Sequence, residues 1–161
     1  MASDQRASVA TLIWGVKQSF RAYVEGSGGA IDTGAGAERG PDGAFVFAAA
    51  PGPRLTINSD GKPQGRGDFV GEVRFEAHGG MLKVFLADPT VEISSDVARI
   101  TVADNEERDV RVRLAELDLA GAARDGRELV IPTKLSKDGW RVLGDHYPPM
   151  TPLDPVRLKL G

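Results

Sequence analysis

At 161 residues, with 41% hydrophobic residues and a formal net charge of -3, the chain has the size of one folded domain over residues 1–161 and lacks the basic surface needed to follow a phosphate backbone. Nucleic acid is therefore not an expected partner. No apolar run approaches the roughly 18 to 20 residues of a membrane span, and the absence of cysteine excludes disulfides, thiolate metal sites and a cysteine nucleophile. The opening MASDQRAS has no hydrophobic signal region, so the chain as written is expected in the cytoplasm.

The first structured stretch is Leu12 to Val24, LIWGVKQSFRAYV. Leu12, Ile13, Val16, Phe20, Tyr23 and Val24 recur at helical spacing, with Ser8 as a cap and Gly26 as a stop. Ala10, Leu12 and Trp14 also alternate, so a strand to Trp14 followed by a helix from Gly15 to Val24 fits equally well. The second reading is preferred, because glycine in mid-helix costs about 0.5–1 kcal/mol. In both, Tyr23 shares a face with Phe20 and is expected to point toward the core.

The next segment, GSGGAIDTGAGAERGPDGA, holds many of the glycines and predicts a loop or loose hairpin, able to border a binding site. From Ala44 the period falls to two. The expected strands are Ala44 to Ala50, Arg54 to Ile57, Asp68 to Ala77, Met81 to Ala87, Val91 to Ile93, Ala98 to Val102, Val110 to Leu119, Leu129 to Ile131, Lys134 to Val142 and Val156 to Leu160. Short strands with little helix between them pair antiparallel, since parallel strands need long crossovers. The fold class is mainly β: an antiparallel β-sandwich or open barrel with one principal N-terminal helix.

In Phe69 to Ala77 the odd-numbered residues form one face and the even-numbered ones the other, which leaves His78 at the strand end, opening the turn HGG. On this evidence alone His78 is an exposed or locally hydrogen-bonded histidine. Tyr147 in GDHYPPMTPLDP covers a sheet edge, and His146 beside it reads as a solvent-facing loop residue, or as a ligand if that loop folds inward. Arg108, Arg111 and Arg113 include outward strand positions. No GxSxG elbow, phosphate-binding GxxxxGK[ST] loop or HExxH pair is present.

Trp14, Gly15, Val16, Lys17, Ser19, Phe20, Arg21 and Tyr23, followed by FEAHGGMLKVFLADPTV (Phe75 to Val91) and YPPMTPLDPVRL (Tyr147 to Leu158), resemble in order the HtaA domain, a haem-binding module of bacterial haem-uptake proteins. The resemblance implies a mostly β fold that binds ferric haem b. It implies Tyr23 as the axial ligand to iron and His78, followed by a strand and the turn Asp88, Pro89, Thr90 and Val91, as its neighbour. Phe20 is expected against the porphyrin, and Tyr147 at the pocket wall or on a propionate. A free phenol, with a pKa of about 10, is a poor ligand when protonated. Ferric iron stabilises the phenolate, and a histidine nitrogen hydrogen-bonded to the oxygen directs it and adjusts its basicity.

The resulting expectation is haem binding for uptake, storage or transfer, without turnover, as a monomer or homodimer exchanging with haem-donor or haem-acceptor proteins. A β-sandwich interaction module without haem is the alternative, and a haem enzyme a lesser one.

Overall fold

The computed structural model describes residues 7–143 and 147–161, so His146 lies outside the described residues. In chain order the elements are β1 (Ala7–Trp14), α1 (Gln18–Gly26), β2 (Ala30–Gly34), β3 (Glu38–Arg39), β4 (Phe45–Ala49), β5 (Thr56–Ile57), β6 (Pro63–Val70) and β7 (Glu72–Ala77). After a 3-10 turn at His78–Gly80 come β8 (Leu82–Ile93), β9 (Ala98–Ala103), β10 (Arg111–Leu117), β11 (Ala123–Asp125), β12 (Glu128–Leu135) and β13 (Pro152–Leu160). The protein is mainly antiparallel β with one helix near the N-terminus, as expected. The barrel form applies and the ring is closed: β1, β4, β6, β8, β9, β10, β12 and β13 pair in turn and return to β1, making eight strands. Among the described residues no helix is long and apolar enough to cross a membrane.

Strand β8 belongs to two structures. Its second half, Thr90 to Ile93, pairs with β6 inside the ring, while Leu82 to Ala87 pairs with β7, and β7 in turn with β2. The change happens at Asp88 and Pro89, where the β8–β9 register shifts and Pro89 supplies no ladder N–H. A three-stranded flap thus extends from the barrel, and α1 packs against its β2 and β7.

The core is mostly apolar, with Arg21 and a few hydroxyl side chains buried among it, and an aromatic cluster joins helix to sheet. Phe20 of α1 lies 5.0 Å from Phe75 of β7, which meets Phe45 of β4 edge-on at 5.7 Å. The alternation read from Phe69 to Ala77 is observed, with Val73, Phe75 and Ala77 buried and Arg74 and Glu76 exposed.

Several boundaries differ from expectation for local reasons. The glycine-rich segment contains β2 and β3, which owe their strand conformation to pairing with β7 and β4 rather than to a pattern of their own. The stretch Asp68 to Ala77 breaks at Gly71, whose φ of 135° turns the chain out of the ring. Two expected strands, Met81 to Ala87 and Val91 to Ile93, are one. The expected strand Lys134 to Val142 ends at Leu135, where Ser136 N donates to Leu114 O at 3.0 Å and Gly139 N closes a turn onto Ser136 O at 3.2 Å.

Candidate functional site

Tyr23 and His78, separated by 55 residues in sequence, meet at the end of the flap, with Tyr23 Oη 2.5 Å from His78 Nε2. The rings are tilted, centroids 5.6 Å apart and planes at 60°. Two close approaches produce this meeting. After α1 the chain passes directly over β7 at Gly29, where an added Cβ would lie 2.2 Å from Glu76 O and 2.8 Å from Val24 O. Any side chain there would push the helix end away from the strand that delivers His78. The second approach is the turn itself: His78 has φ 57°, a left-handed conformation that histidine tolerates better than most residues, followed by Gly79 and Gly80, also at positive φ. This sharp turn swings the imidazole back toward α1.

Tyr23 does not point into the core. It is 39% exposed, and the buried residues of α1 are Phe20, Arg21 and Val24. The buried face is therefore rotated by about one residue, toward Arg21, from the one inferred from Phe20 and Tyr23. Arg21 is buried because it has a partner there: Nη1 donates to Asp154 Oδ2 and to Gly15 O, both at 2.7 Å. Gly15 leaves the room this requires, since a Cβ there would stand 2.1 Å from Arg21 Nη1.

Phe20 is fully buried. It forms a floor beneath Tyr147, whose ring stands edge-on to it at 6.2 Å. Tyr147 is half-buried, and Lys17 Nζ lies 5.3 Å from its ring centroid while donating to Pro152 O at 3.0 Å. Through Phe20, then, Tyr147 is attached to the same helix as Tyr23.

Asp88, Pro89, Thr90 and Val91 follow His78 along β8 and lie apart from Tyr23. The β7–β8 register sets Ala77 opposite Leu82 and Glu72 opposite Ala87, so this segment lies at the other end of β7, roughly 20 Å away at about 3.3 Å per residue. Two of the three arginines considered above also group there: Arg108 pairs with Glu72 at 2.6 Å and Asp88 at 3.4 Å, and Arg111 bonds Thr90 and Thr101. A cleft of about 640 Å³ between Ser94, Leu117, Leu119, Lys134 and Met150 contains neither a tyrosine nor a histidine. Among the described residues, no group of three or more His, Cys, Asp or Glu is placed to hold a metal ion. The arrangement at the flap end is thus a phenol paired with an imidazole, reached by solvent and backed by aromatic rings.

The HtaA family profile, described as Htaa, matches residues 9–159. The crystal structure of the C-terminal domain of HtaA from Corynebacterium glutamicum superposes with a TM-score of 0.73 at 22% identity, covering 97% of this chain and 99% of that one. The N-terminal domain of the same protein gives 0.72 at 25% identity, covering 96% and 98%. The heme binding protein HtaB from that organism gives 0.65 at 19% identity, covering 99% and 96%. A comparison with curated proteins finds no match. On a profile that spans nearly its whole length, the chain belongs to the HtaA family.

Proposed function

We propose that this chain, as one HtaA-like domain, binds ferric haem b through Tyr23, with His78 as the supporting base, for uptake, storage or transfer without turnover. The observation that carries this reading is the 2.5 Å contact between Tyr23 Oη and His78 Nε2 at a solvent-reached position of an HtaA-family fold. Its structural neighbour HtaB is a heme binding protein.

The donor set fits the group. A phenolate is a hard anionic oxygen suited to ferric iron, and tyrosine ligation of haem is an established mode. Bound ferric iron supplies the positive charge that stabilises the phenolate form. His78 does the proton work: with Tyr23 protonated, Nε2 accepts the phenol hydrogen, and once Oη is ionised the same nitrogen, carrying the proton, donates back to the oxygen. The bond thereby keeps Oη directed in both states while taking up the proton that ligation releases. Tyr147 and the Lys17 ammonium form a polar edge on the same helix-flap surface, suited to a carboxylate such as a propionate.

Hemin titration tests the reading. One equivalent is expected to give a Soret band and a phenolate-to-iron charge-transfer band, with no peroxide turnover above free hemin. No Soret change would leave the interaction module, with Tyr23 and His78 as a simple surface hydrogen bond. Peroxide turnover would point to the enzyme.

A further inference from the structure

Helix α1, which carries Tyr23, has nine residues, a length at which an isolated helix is marginal. Its N-cap, Lys17, makes no side-chain cap, and its first turn holds no acidic residue to offset the helix dipole. Both deficits are met from the far end of the chain. Asp154 of β13 accepts Gln18 N on Oδ1 at 2.9 Å, and on Oδ2 it accepts Arg21 Nη1 at 2.7 Å. One carboxylate thus caps the helix and pairs with the charge buried on its inner face.

The backbone of Asp154 is tied as firmly. Its N–H donates to Val16 O at 2.9 Å, and its carbonyl accepts Trp14 Nε1 at 2.8 Å and Thr133 Oγ1 at 2.7 Å. Strands β1, β12 and β13, the turn at Gly15 and the start of α1 therefore converge on one residue. Two residues earlier, Pro152 O takes the Lys17 ammonium, and the chain before it carries Tyr147. Tyr23 projects from α1 only two residues beyond Arg21.

We infer that Asp154, acting with Arg21, is a positioning residue for the Tyr23 site: it sets the pose of α1, so that Tyr23 Oη meets His78 and stands at a fixed spacing from Tyr147. Neither residue touches the ligand. For its ligand-binding arm the inference rests on the haem reading above; for its geometry it does not.

The test uses Asp154→Ala, which removes cap and ion pair, Asp154→Asn, which keeps an oxygen for Gln18 N, and Arg21→Lys. Ile100→Val, at a fully buried position in β9, serves as a control that loses core packing elsewhere. Two readouts go beyond stability: the imidazole nitrogen resonances of His78 in protein without hemin, and the rate of hemin loss with the position of the charge-transfer band. In Asp154→Ala the His78 resonances should move toward those of Tyr23→Phe and hemin should leave roughly tenfold faster, the scale typical of lost supporting contacts. Asp154→Asn should recover part of both, and Ile100→Val should change neither. Parent-like His78 resonances and hemin release in Asp154→Ala would overturn the inference, as would equal changes in Ile100→Val. If Asp154→Ala does not fold, Asp154→Asn and Arg21→Lys decide by the same readouts. Should the parent bind no hemin, the haem reading fails, while the His78 resonances still judge the positioning.

Discussion

At one end β7 delivers His78 to Tyr23 at the surface, and at the other it begins in a corner where almost every polar group is committed to a neighbour. In that corner Gly71 N donates to Asp88 Oδ1 at 3.2 Å and Gly71 O accepts Asp88 N at 2.8 Å. Thr90, 3% exposed, donates to Asp68 and accepts from Arg111. A Cβ at Gly71 would stand 2.5 Å from that of Ala37. Both ends stand out in sequence, one as HGG and the other as DPTV. The corner spends its groups on each other and turns the sheet, whereas the flap end leaves a paired phenol and imidazole within reach of solvent. Which end is the candidate site is decided by register and exposure, not by residue type.

The sharpest way to break this comparison is Tyr23→Ala. It should weaken hemin binding by more than about a hundredfold, beyond the 10- to 100-fold typical of a ligand's supporting partner. Its melting temperature should move by less than about 2 °C, as for surface substitutions in a chain of this size. Parent-like hemin affinity would move the ligand elsewhere. His78→Ala should come next, weakening hemin by roughly 10- to 100-fold with an altered charge-transfer band.

Two changes of condition sharpen the same end. Ferrous iron carries one positive charge less and bonds a phenolate more weakly, so dithionite should accelerate transfer of haem to an excess of scavenging apoprotein, and acid should do so by protonating Oη. Slower loss from the ferrous form in stopped-flow Soret traces would count against Tyr23 as the main bond.

At the corner the expectation reverses. Thr90→Val removes the hydroxyl shared by Asp68 and Arg111 and should lower unfolding stability by about 1 kcal/mol while hemin affinity stays unchanged. A loss of hemin there would mean that the two ends of β7 are coupled. The smallest effect concerns Glu25, near the end of α1, where the hydrogen bond from Arg39 holds the carboxyl below its usual range. With a lowered folded value, this pair contributes above the ordinary carboxylate range and fades as pH falls through the folded value. Because the Glu25 side chain is 49% exposed, Glu25→Gln should cost no more than about 0.5 kcal/mol at neutral pH in chemical denaturation, and nothing in strong acid.

Elements with their own periodicity were readable in the sequence. The strand-to-helix change near Gly15 and the alternation around Phe75 follow from residues within each segment. Elements defined by a partner were not. Strand β2 has one large apolar residue, Ile31, and exists because β7 lies beside it. The first half of β6, Pro63 to Gly67, looks like a turn, yet Gly67 is small because Leu55 packs against it, with an added Cβ at 3.0 Å. The pairing of Tyr23 with His78 was expected from the family pattern, but the orientation of Tyr23 was not. An arginine on an apolar face gave no sign that it would be buried until Asp154, far along the chain, was in place. The location of DPTV is set by the β7–β8 register rather than by residues within the motif.

The exposure of Tyr23 separates two rates that are coupled in proteins holding a ligand at the bottom of a closed cavity. Nothing in the eight-stranded ring has to open for a group to reach or leave Oη, because the phenol stands outside the ring, on α1 where it packs against the flap. Exchange at this position is therefore independent of how often the barrel unfolds. On the haem reading proposed above, substitutions that make the ring more heat-resistant should leave the rate of hemin loss unchanged.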